Sequence, residues 1–530
     1  MANTVGLGPT AERFGGSSPP EGTLQLHSAS TMHLFKKYIL LSVVFVTGAC
    51  VLVIEIVAVR VLSPYYGNTI FSVSSVITVI LAALSIGYYA GGRLADRRPS
   101  YNLFYGIIVT SGAMVLALQL LALTLLPYMG YRLSLVSGPL VSSMILFFLP
   151  GLLLGTLSPF AIKLQKLRVP EEGVGTVAGK VFFWSTCGSI VGSLGAGFIL
   201  IPRLGVNEIF LGTGVILLAV GMIGMVISGA KKENVLFCMG VSAVLLGSVF
   251  STLAAAKADV MYETDGLYEK ITVYDGKYKG RQARFLKQDW SSSSAMFLDS
   301  DELAYEYTKY YQLYKIFTPN PKEALVIGAG AYSVPKALFQ ELPEIRVDVV
   351  EIEPALVEVG KRFFRVPDNP RLANYIEDGR RFLHDSHTTY DIIFSDVYVS
   401  SIPAHFVTKE FFEIAKSKLA PEGIFLANIV GDLASDPPSF VLAEMKTLRA
   451  VFPQSYFFAM KSPVSEELQN FIFVGHKSEK SVNLEGSAFY GKLIDLSRFD
   501  FDLYPLLTDN FAPVEYLTAQ IWARRIAEER

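Results

Sequence analysis

Seven long apolar runs fill the first half of the chain, at roughly 38–59, 70–91, 103–127, 138–160, 177–201, 207–229 and 235–256. Each is long enough for a helix to cross ~30 Å of hydrocarbon. After Ala256 the pattern changes. Residues 268–274 alternate in polarity, and 281–287 can pair with them across Gly276 and Gly280, which predicts antiparallel strands of a small β subdomain. Trp290 and the serines at 291–294 read as a loop. Residues 301–317 read as a helix, with Leu303, Tyr307, Tyr310 and Tyr314 near helical spacing and the tyrosines assigned to packing. Short apolar strands then alternate with helical segments. The strand at 324–327 runs into Gly328-Ala329-Gly330, and that at 346–350 ends in Glu351-Ile352-Glu353. A third element ends at Glu377-Asp378-Gly379, and a fourth, 390–395, ends at Asp396. Alternation of this kind predicts a Rossmann-like sheet, and open sheets bind ligands just past the carboxyl ends of their strands.

The expected architecture is a multi-pass α-helical membrane domain, then an α/β Rossmann-like domain of methyltransferase type with a small N-terminal β subdomain. The boundaries follow the pattern: a disordered N-terminus rich in Gly, Ser, Pro and Thr (1–33), the transmembrane domain (34–256), the β subdomain and connecting helix (257–318), the Rossmann-like domain (319–475) and a tail or cap (476–530). The tail ends in a basic piece, 520–530, read as helical. The apolar run after Lys36-Lys37 is too long for a signal peptide.

Composition agrees with this division. Of 530 residues, 51% are apolar and 18% charged, which excludes a wholly soluble protein. Residues 1–256 hold 15 Lys/Arg and 8 Asp/Glu, net +7; the rest hold 31 and 40, net −9. An acidic soluble half suits a cationic substrate by steering, and equally suits plain solubility. No nucleic-acid partner is expected. Cys50, Cys187 and Cys238 lack metal-ligand spacing, so neither a metal nor a disulfide framework is expected.

Charges within the membrane half raise two questions. Glu55 lies inside the first span, where a carboxylate is costly; it is either functional or paired with Arg60 or Lys180. Gly87/Gly91 and Gly188/Gly192 have the spacing that lets helices approach closely. Basic residues cluster before span one and after spans two, four and six. The positive-inside rule puts those loops in the cytoplasm and, with seven spans, the soluble domain outside. Supply of an adenosyl cofactor argues for the cytoplasm, and a cytoplasmic domain on the (inner) cell membrane is the expectation adopted. Gly92-Arg93-Leu94-Ala95-Asp96-Arg97-Arg98 resembles a loop motif of major facilitator transporters.

The chemistry concentrates at the strand ends. Gly328 and Gly330 allow a tight turn and close approach to a ligand. Glu351, about 20 residues on, is placed to accept hydrogen bonds from ribose hydroxyls, and Asp378-Gly379 can meet an adenine edge. No basic group stands at the turn, which favours a nucleoside without phosphates, such as an adenosylmethionine derivative. Asp396 can orient an ammonium and take its proton, or it can cap the following helix.

Over about 262–475 these residues resemble the spermidine synthases, the polyamine aminopropyltransferases. The order strand pair, Asp301-Glu302-x-x-Tyr305, Gly turn, Glu351-Ile352-Glu353, Asp378-Gly379, Asp396 follows that family. A membrane-fused branch is similar at Ile402-Pro403-Ala404-His405-Phe406-Val407-Thr408-Lys409-Glu410-Phe411 and at Leu507-Thr508-Asp509-Asn510-Phe511-Ala512-Pro513-Val514-Glu515. The resemblance implies transfer of an aminopropyl group from decarboxylated S-adenosylmethionine to an amine such as putrescine, releasing methylthioadenosine without a metal. It implies that Gly328, Gly330, Glu351, Asp378 and Gly379 bind the donor, that Asp396 is catalytic with Tyr305 placing the amine, and that the protein is a homodimer. The sequence departs from the family at Ala331, where an Asp binds the donor's ammonium, at Val399, where a second acid contacts the acceptor, and at Glu306-Tyr307, which replaces His-Glu. Glu306, His405, Asp509 and Glu515 are candidate replacement contacts for the substrate. Two other readings stay open: an S-adenosylmethionine-dependent methyl or alkyl transferase acting on a membrane-associated substrate, and a transporter whose soluble domain binds polyamine or nucleoside.

Overall fold

A computed structural model describes residues 21–130, 132–256, 260–398, 402–434 and 439–518. Seven helices come first: α1 (Glu21–Tyr66), α2 (Ile70–Arg97), α3 (Tyr101–Gly130), α4 (Gly138–Arg168), α5 (Val174–Gly195), α6 (Val206–Ile227) and α7 (Lys232–Ala256). All seven are long and apolar enough to cross a membrane. The first begins at Glu21, before the expected boundary at residue 34; residues 1–20 lie outside the described residues, as does 520–530. A π-helical turn, Ala196–Leu200, extends α5.

Small residues set the helix contacts. A Cβ on Gly188 or Gly192 would meet the α1 carbonyls of Phe45 and Ala49, and one on Gly87 or Gly91 would meet the α4 backbone at Leu152 and Thr156. The backbones touch because no side chain stands between them. Replacing Gly188 by Leu is expected to force α1 and α5 apart at a cost of about 1–3 kcal/mol, read as a lower melting temperature in detergent. Neither proposed partner holds Glu55. Lys180 pairs with Glu172 at 2.6 Å, and Arg60 Nη1 donates to the Gly266 carbonyl at 2.7 Å.

Beyond the helices stands a four-stranded antiparallel sheet of β1 (Tyr262–Asp265), β2 (Lys270–Tyr278), β3 (Arg281–Gln288) and β4 (Ser291–Phe297), in that order. The strand pair turns at Lys279-Gly280, both at positive φ. Two expectations fail here. The serines at 291–294 form strand, not loop: their small polar side chains hide the alternation, but Ala295, Met296 and Phe297 are buried and β3 supplies the pairing. The expected helix at 301–317 is a 3-10 stretch, Glu306–Leu313, followed by one α turn, α8 (Tyr314–Phe317). Buried Tyr310, Tyr311 and Tyr314 hold it against the main sheet, so tertiary packing rather than helix propensity shapes it.

The main domain alternates as expected: β5 (Glu323–Ile327), α9 (Ser333–Glu341), β6 (Arg346–Glu351), α10 (Pro354–Phe363), β7 (Leu372–Ile376), α11 (Gly379–Asp385), β8 (Tyr390–Ser395), α12 (Lys409–Ser417), β9 (Leu419–Gly431), α13 (Phe440–Val451), β10 (Gln454–Ala459) and β11 (Gln469–His476). The sheet order is β10-β11-β9-β8-β5-β6-β7, parallel from β9 to β7 and antiparallel at β11 and β10. β5 and β8 are neighbours from which the chain winds in opposite directions, and ligands bind outside the carboxyl ends of strands at such a switch point. Helices cover both faces, so β9 is buried continuously from Gly423 to Ile429 instead of alternating.

The seven apolar helices and the sheets are joined by specific contacts. Besides the Arg60 bond, Ser63 Oγ donates to Asp289 Oδ2 at 2.6 Å, and the Val206 amide donates to Asp265 Oδ2 at 3.0 Å. These contacts involve the end of α1 and the start of α6. The basic clusters stand at the opposite helix ends.

Candidate active site

A cavity of about 350 Å³ opens at the switch point. Its lining joins the Gly turn, Glu351, Asp378, Gly379, Asp396 and His405 to residues from the small sheet and to Asn68 between α1 and α2. The Gly turn is forced. Gly328 has φ +90° and Gly330 φ +48°, and a Cβ on Gly328 would strike the Asp396 carbonyl oxygen. The Gly328 amide donates to Val350 O and the Asp396 amide to Ile327 O, both at 2.9 Å, which binds three strand ends together.

Glu351 lies beneath the turn and is 7% exposed. Its Oε2 accepts from the Ala329 amide at 2.8 Å and its Oε1 from the Glu353 amide at 2.9 Å. Burial raises its carboxyl above the usual range, against the pull of those amides. Each oxygen keeps a lone pair for a further donor. Glu353 has a different duty: it accepts from the Ala355 amide at the start of α10 and from the Tyr268 amide at 2.8 Å, locking the small sheet to the main one.

Asp378 caps α11 by accepting from the Arg381 amide at 2.9 Å, and His405 Nε2 stands 3.1 Å from its other oxygen. The His405 contact holds the Asp378 carboxyl below its ordinary value. Asp509 does not line the cavity. It pairs bidentately with Arg380 at 2.7 and 2.6 Å, and Arg380 also donates to the His405 carbonyl at 3.1 Å. This places Asp509 behind His405 as a support.

Asp396 follows β8 and faces the cavity. Tyr307 donates to its Oδ2 at 3.1 Å and Asn428 Nδ2 to its Oδ1 at 2.9 Å. Burial raises its carboxyl to about 6, and the bonds from Asn428 and Tyr307 pull the other way. Asn428 is itself fixed by Asn470 at 2.9 Å. Among the described residues such an acid is held by neutral donors with no cation against it, which suits it to receive a proton near neutral pH.

Other expected contacts are not brought together. The Tyr305 hydroxyl bonds Ser292 Oγ at 2.9 Å and is not part of the lining; its neighbour Tyr307 occupies the place by Asp396. A 3-10 turn here, instead of an α-helix, decides which tyrosine points inward. Glu306 is exposed and pairs with Lys279 and Lys309. Glu515 is half-buried and outside the lining. Ala331 is 1% exposed among Ile271, Val273, Leu286 and Met296, so position 331 offers the cavity no charge. Val399 lies outside the described residues.

The sequence reading missed Tyr307, Tyr398, Asn428, Glu269 and Asp289. Asn428 had a visible signal, an amide within the apolar run of β9. Glu269 and Asp289 line the cavity from the small sheet, and burial lifts the Glu269 carboxyl to about 8. No group of three or more potential metal-ligating side chains occurs among the described residues.

Residues 311–485 match the spermine/spermidine synthase domain. A polyamine aminopropyltransferase of Vibrio vulnificus is 23% identical over 293 residues, 52% of this chain and 96% of that protein. Polyamine aminopropyltransferase 1 of Streptomyces coelicolor is 24% identical over 431 residues, 77% of each chain. A human eEF1A lysine and N-terminal methyltransferase is 33% identical over 162 residues, 28% of this chain and 22% of that protein.

Proposed function

The C-terminal part of the chain carries a spermine/spermidine synthase domain, and from that premise we propose that the protein is a membrane-integrated aminopropyltransferase. It moves an aminopropyl group from decarboxylated S-adenosylmethionine to an amine such as putrescine and releases methylthioadenosine. The observation that carries this reading is Asp396: a buried carboxylate at a strand end, held by Tyr307 and Asn428, beside the Gly turn and the Glu351 and Asp378 carboxylates. Glu351 holds the ribose, Asp378 the adenine amino group, and Gly328, Gly330 and Gly379 give the nucleoside room. Asp396 takes the amine's proton. The amine nitrogen bonds to the carbon next to sulfur as the carbon–sulfur bond breaks, and the sulfonium leaves as a neutral thioether. Alignment of amine and carbon supplies much of the remaining acceleration.

Mass spectrometry of products tests it. The protein is incubated with decarboxylated or intact S-adenosylmethionine and with putrescine, spermidine, agmatine or a lipid extract. Methylthioadenosine with an aminopropylated amine is expected; adenosylhomocysteine instead would assign a methyltransferase. Buried Ala331, which leaves the donor's ammonium without its usual acid, favours this second reading.

Arg380→Ala frees the backbone that carries His405. It is expected to raise KM for the donor about five- to thirtyfold and leave kcat near wild type, since a positioning loss of one charged hydrogen bond is worth about 1–2 kcal/mol. Steady-state kinetics at varied donor checks it. We infer that the catalytic domain faces the cytoplasm, where the donor is made, although the basic loops point the other way. Cleavage of the domain by protease added outside right-side-out vesicles would refute this. A homodimer is expected, and a single-chain mass by light scattering in detergent would refute that.

A further inference from the structure

Two tyrosines, Tyr307 and Tyr398, line the cavity with Asp396, and the hydroxyl of each is tied to an acid. Tyr307 donates to Asp396 at 3.1 Å, with a longer contact of 3.4 Å to the Ser293 carbonyl. Tyr398 donates to Glu444 Oε1 at 3.0 Å. Glu444 is a carboxyl in an otherwise apolar stretch of α13, 0% exposed, and its Oε2 has no hydrogen-bond partner among the described residues. Burying such a group is costly, and the mechanism above does not use it.

A phenol has one proton. Once that proton is committed to a carboxyl behind it, the oxygen presents only lone pairs to whatever lies in front. Tyr398 lines the cavity two residues after Asp396. Its oxygen is therefore turned into an acceptor on the side where a substrate ammonium has N–H groups to place. Without Glu444 the hydroxyl is free to rotate and aim its proton at the ammonium, which repels it.

We infer that Tyr398 contacts the acceptor amine and that Glu444 is the positioning residue that fixes the direction of its hydroxyl. The seat then has three acceptors, the Asp396 carboxylate and the oxygens of Tyr307 and Tyr398, for the three N–H bonds of a primary ammonium. One proton passes to Asp396. The lone pair this frees lies along the broken N–H bond, so the amine pivots from Asp396 toward the donor carbon, its two remaining N–H bonds steered by the tyrosine oxygens. This rests on the transferase reading above and adds the residues that orient the acceptor.

The test is kinetics of full-length protein in detergent, with Tyr398→Phe, Glu444→Leu, Glu444→Gln and the double variant that combines Tyr398→Phe with Glu444→Leu. Tyr398→Phe and Glu444→Leu are each expected to raise KM for the amine about tenfold or more, the value of one hydrogen bond to a charged group, with KM for the donor unchanged. Glu444→Gln keeps an acceptor oxygen and should restore most of the affinity. The double variant should be no worse than either single one, because both remove the same contact. A Glu444→Leu effect that persists in full on top of Tyr398→Phe, or that falls on the donor, would overturn the inference. If Glu444→Leu does not fold, Tyr398→Phe decides alone: an unchanged amine KM overturns it. An active wild type with failing variants counts against this inference only, whereas a wild type that alkylates no amine removes the transferase reading and this one together.

Discussion

Asp396→Asn is expected to cut kcat about 10²–10⁴-fold, the usual contribution of a positioned general base, while donor binding stays within a few-fold of wild type. The amide keeps an oxygen for Asn428 or Tyr307 but cannot accept the amine's proton. The wild-type rate should carry the mark of the same group. Burial raises its carboxyl to about 6, above its value of 3.8 in water, and only the ionised form is a base. The rate therefore rises with pH through about 6 and falls below it. The stability effect has the opposite sign. A carboxyl whose pKa is raised on folding binds its proton more tightly in the native state, so its contribution to stability is lost as pH rises from about 4 to 6. At pH 7 the Asn variant should melt no lower than wild type, and higher if the buried charge is the dominant cost. A rate independent of pH between 5 and 7, or an Asn variant with wild-type kcat, would remove Asp396 from the chemistry.

The second large effect is expected at Glu351. Glu351→Ala strips the acceptor from two buried amides, those of Ala329 and Glu353. Each unpaired group costs about 1–3 kcal/mol, so the variant should lose about 2–6 kcal/mol of stability. The same change removes the proposed ribose contacts, worth about a hundredfold or more in donor affinity at about 1.5 kcal/mol for each charge-assisted bond. Glu351→Gln separates the two roles. It keeps one oxygen for an amide and should recover part of the stability, while donor binding stays weak because the charge is gone. Denaturant unfolding and calorimetric titration with methylthioadenosine measure the two losses independently. Wild-type affinity in a folded Gln variant would show that Glu351 serves the turn and not the nucleoside.

Glu55 is another acid whose role depends on its neighbours. The sequence allows pairing with Arg60 or Lys180, and in the fold both cations have other uses. Arg60 reaches the loop at Gly266, which Glu353 also approaches from the main sheet. The apolar helices thus grip the small sheet that supplies one wall of the cavity, and Asn68 enters that wall directly.

What the sequence determined by itself is the part governed by local pattern. Seven apolar runs became seven helices because a helix satisfies its backbone hydrogen bonds within the run itself. The Gly turn, β6 with Glu351, β7 with Asp378 and β8 with Asp396 were legible because strand, turn and acid follow one another within a few residues, and the carboxyl end of a parallel strand is where polar groups can face a ligand. What only the tertiary structure decided involves residues far apart in the chain or backbone shapes without a propensity signature. Tyr307 rather than Tyr305 meets Asp396 because a 3-10 turn set by buried tyrosines rotates it inward. Asn428, Tyr398 and Glu444 take their meaning from β9 and α13 being folded against β8, and Glu306 and Asp509 were spoken for by Lys279 and Arg380. A polar side chain's role depends on which partner reaches it first, and such pairings across tens of residues leave no period in the sequence.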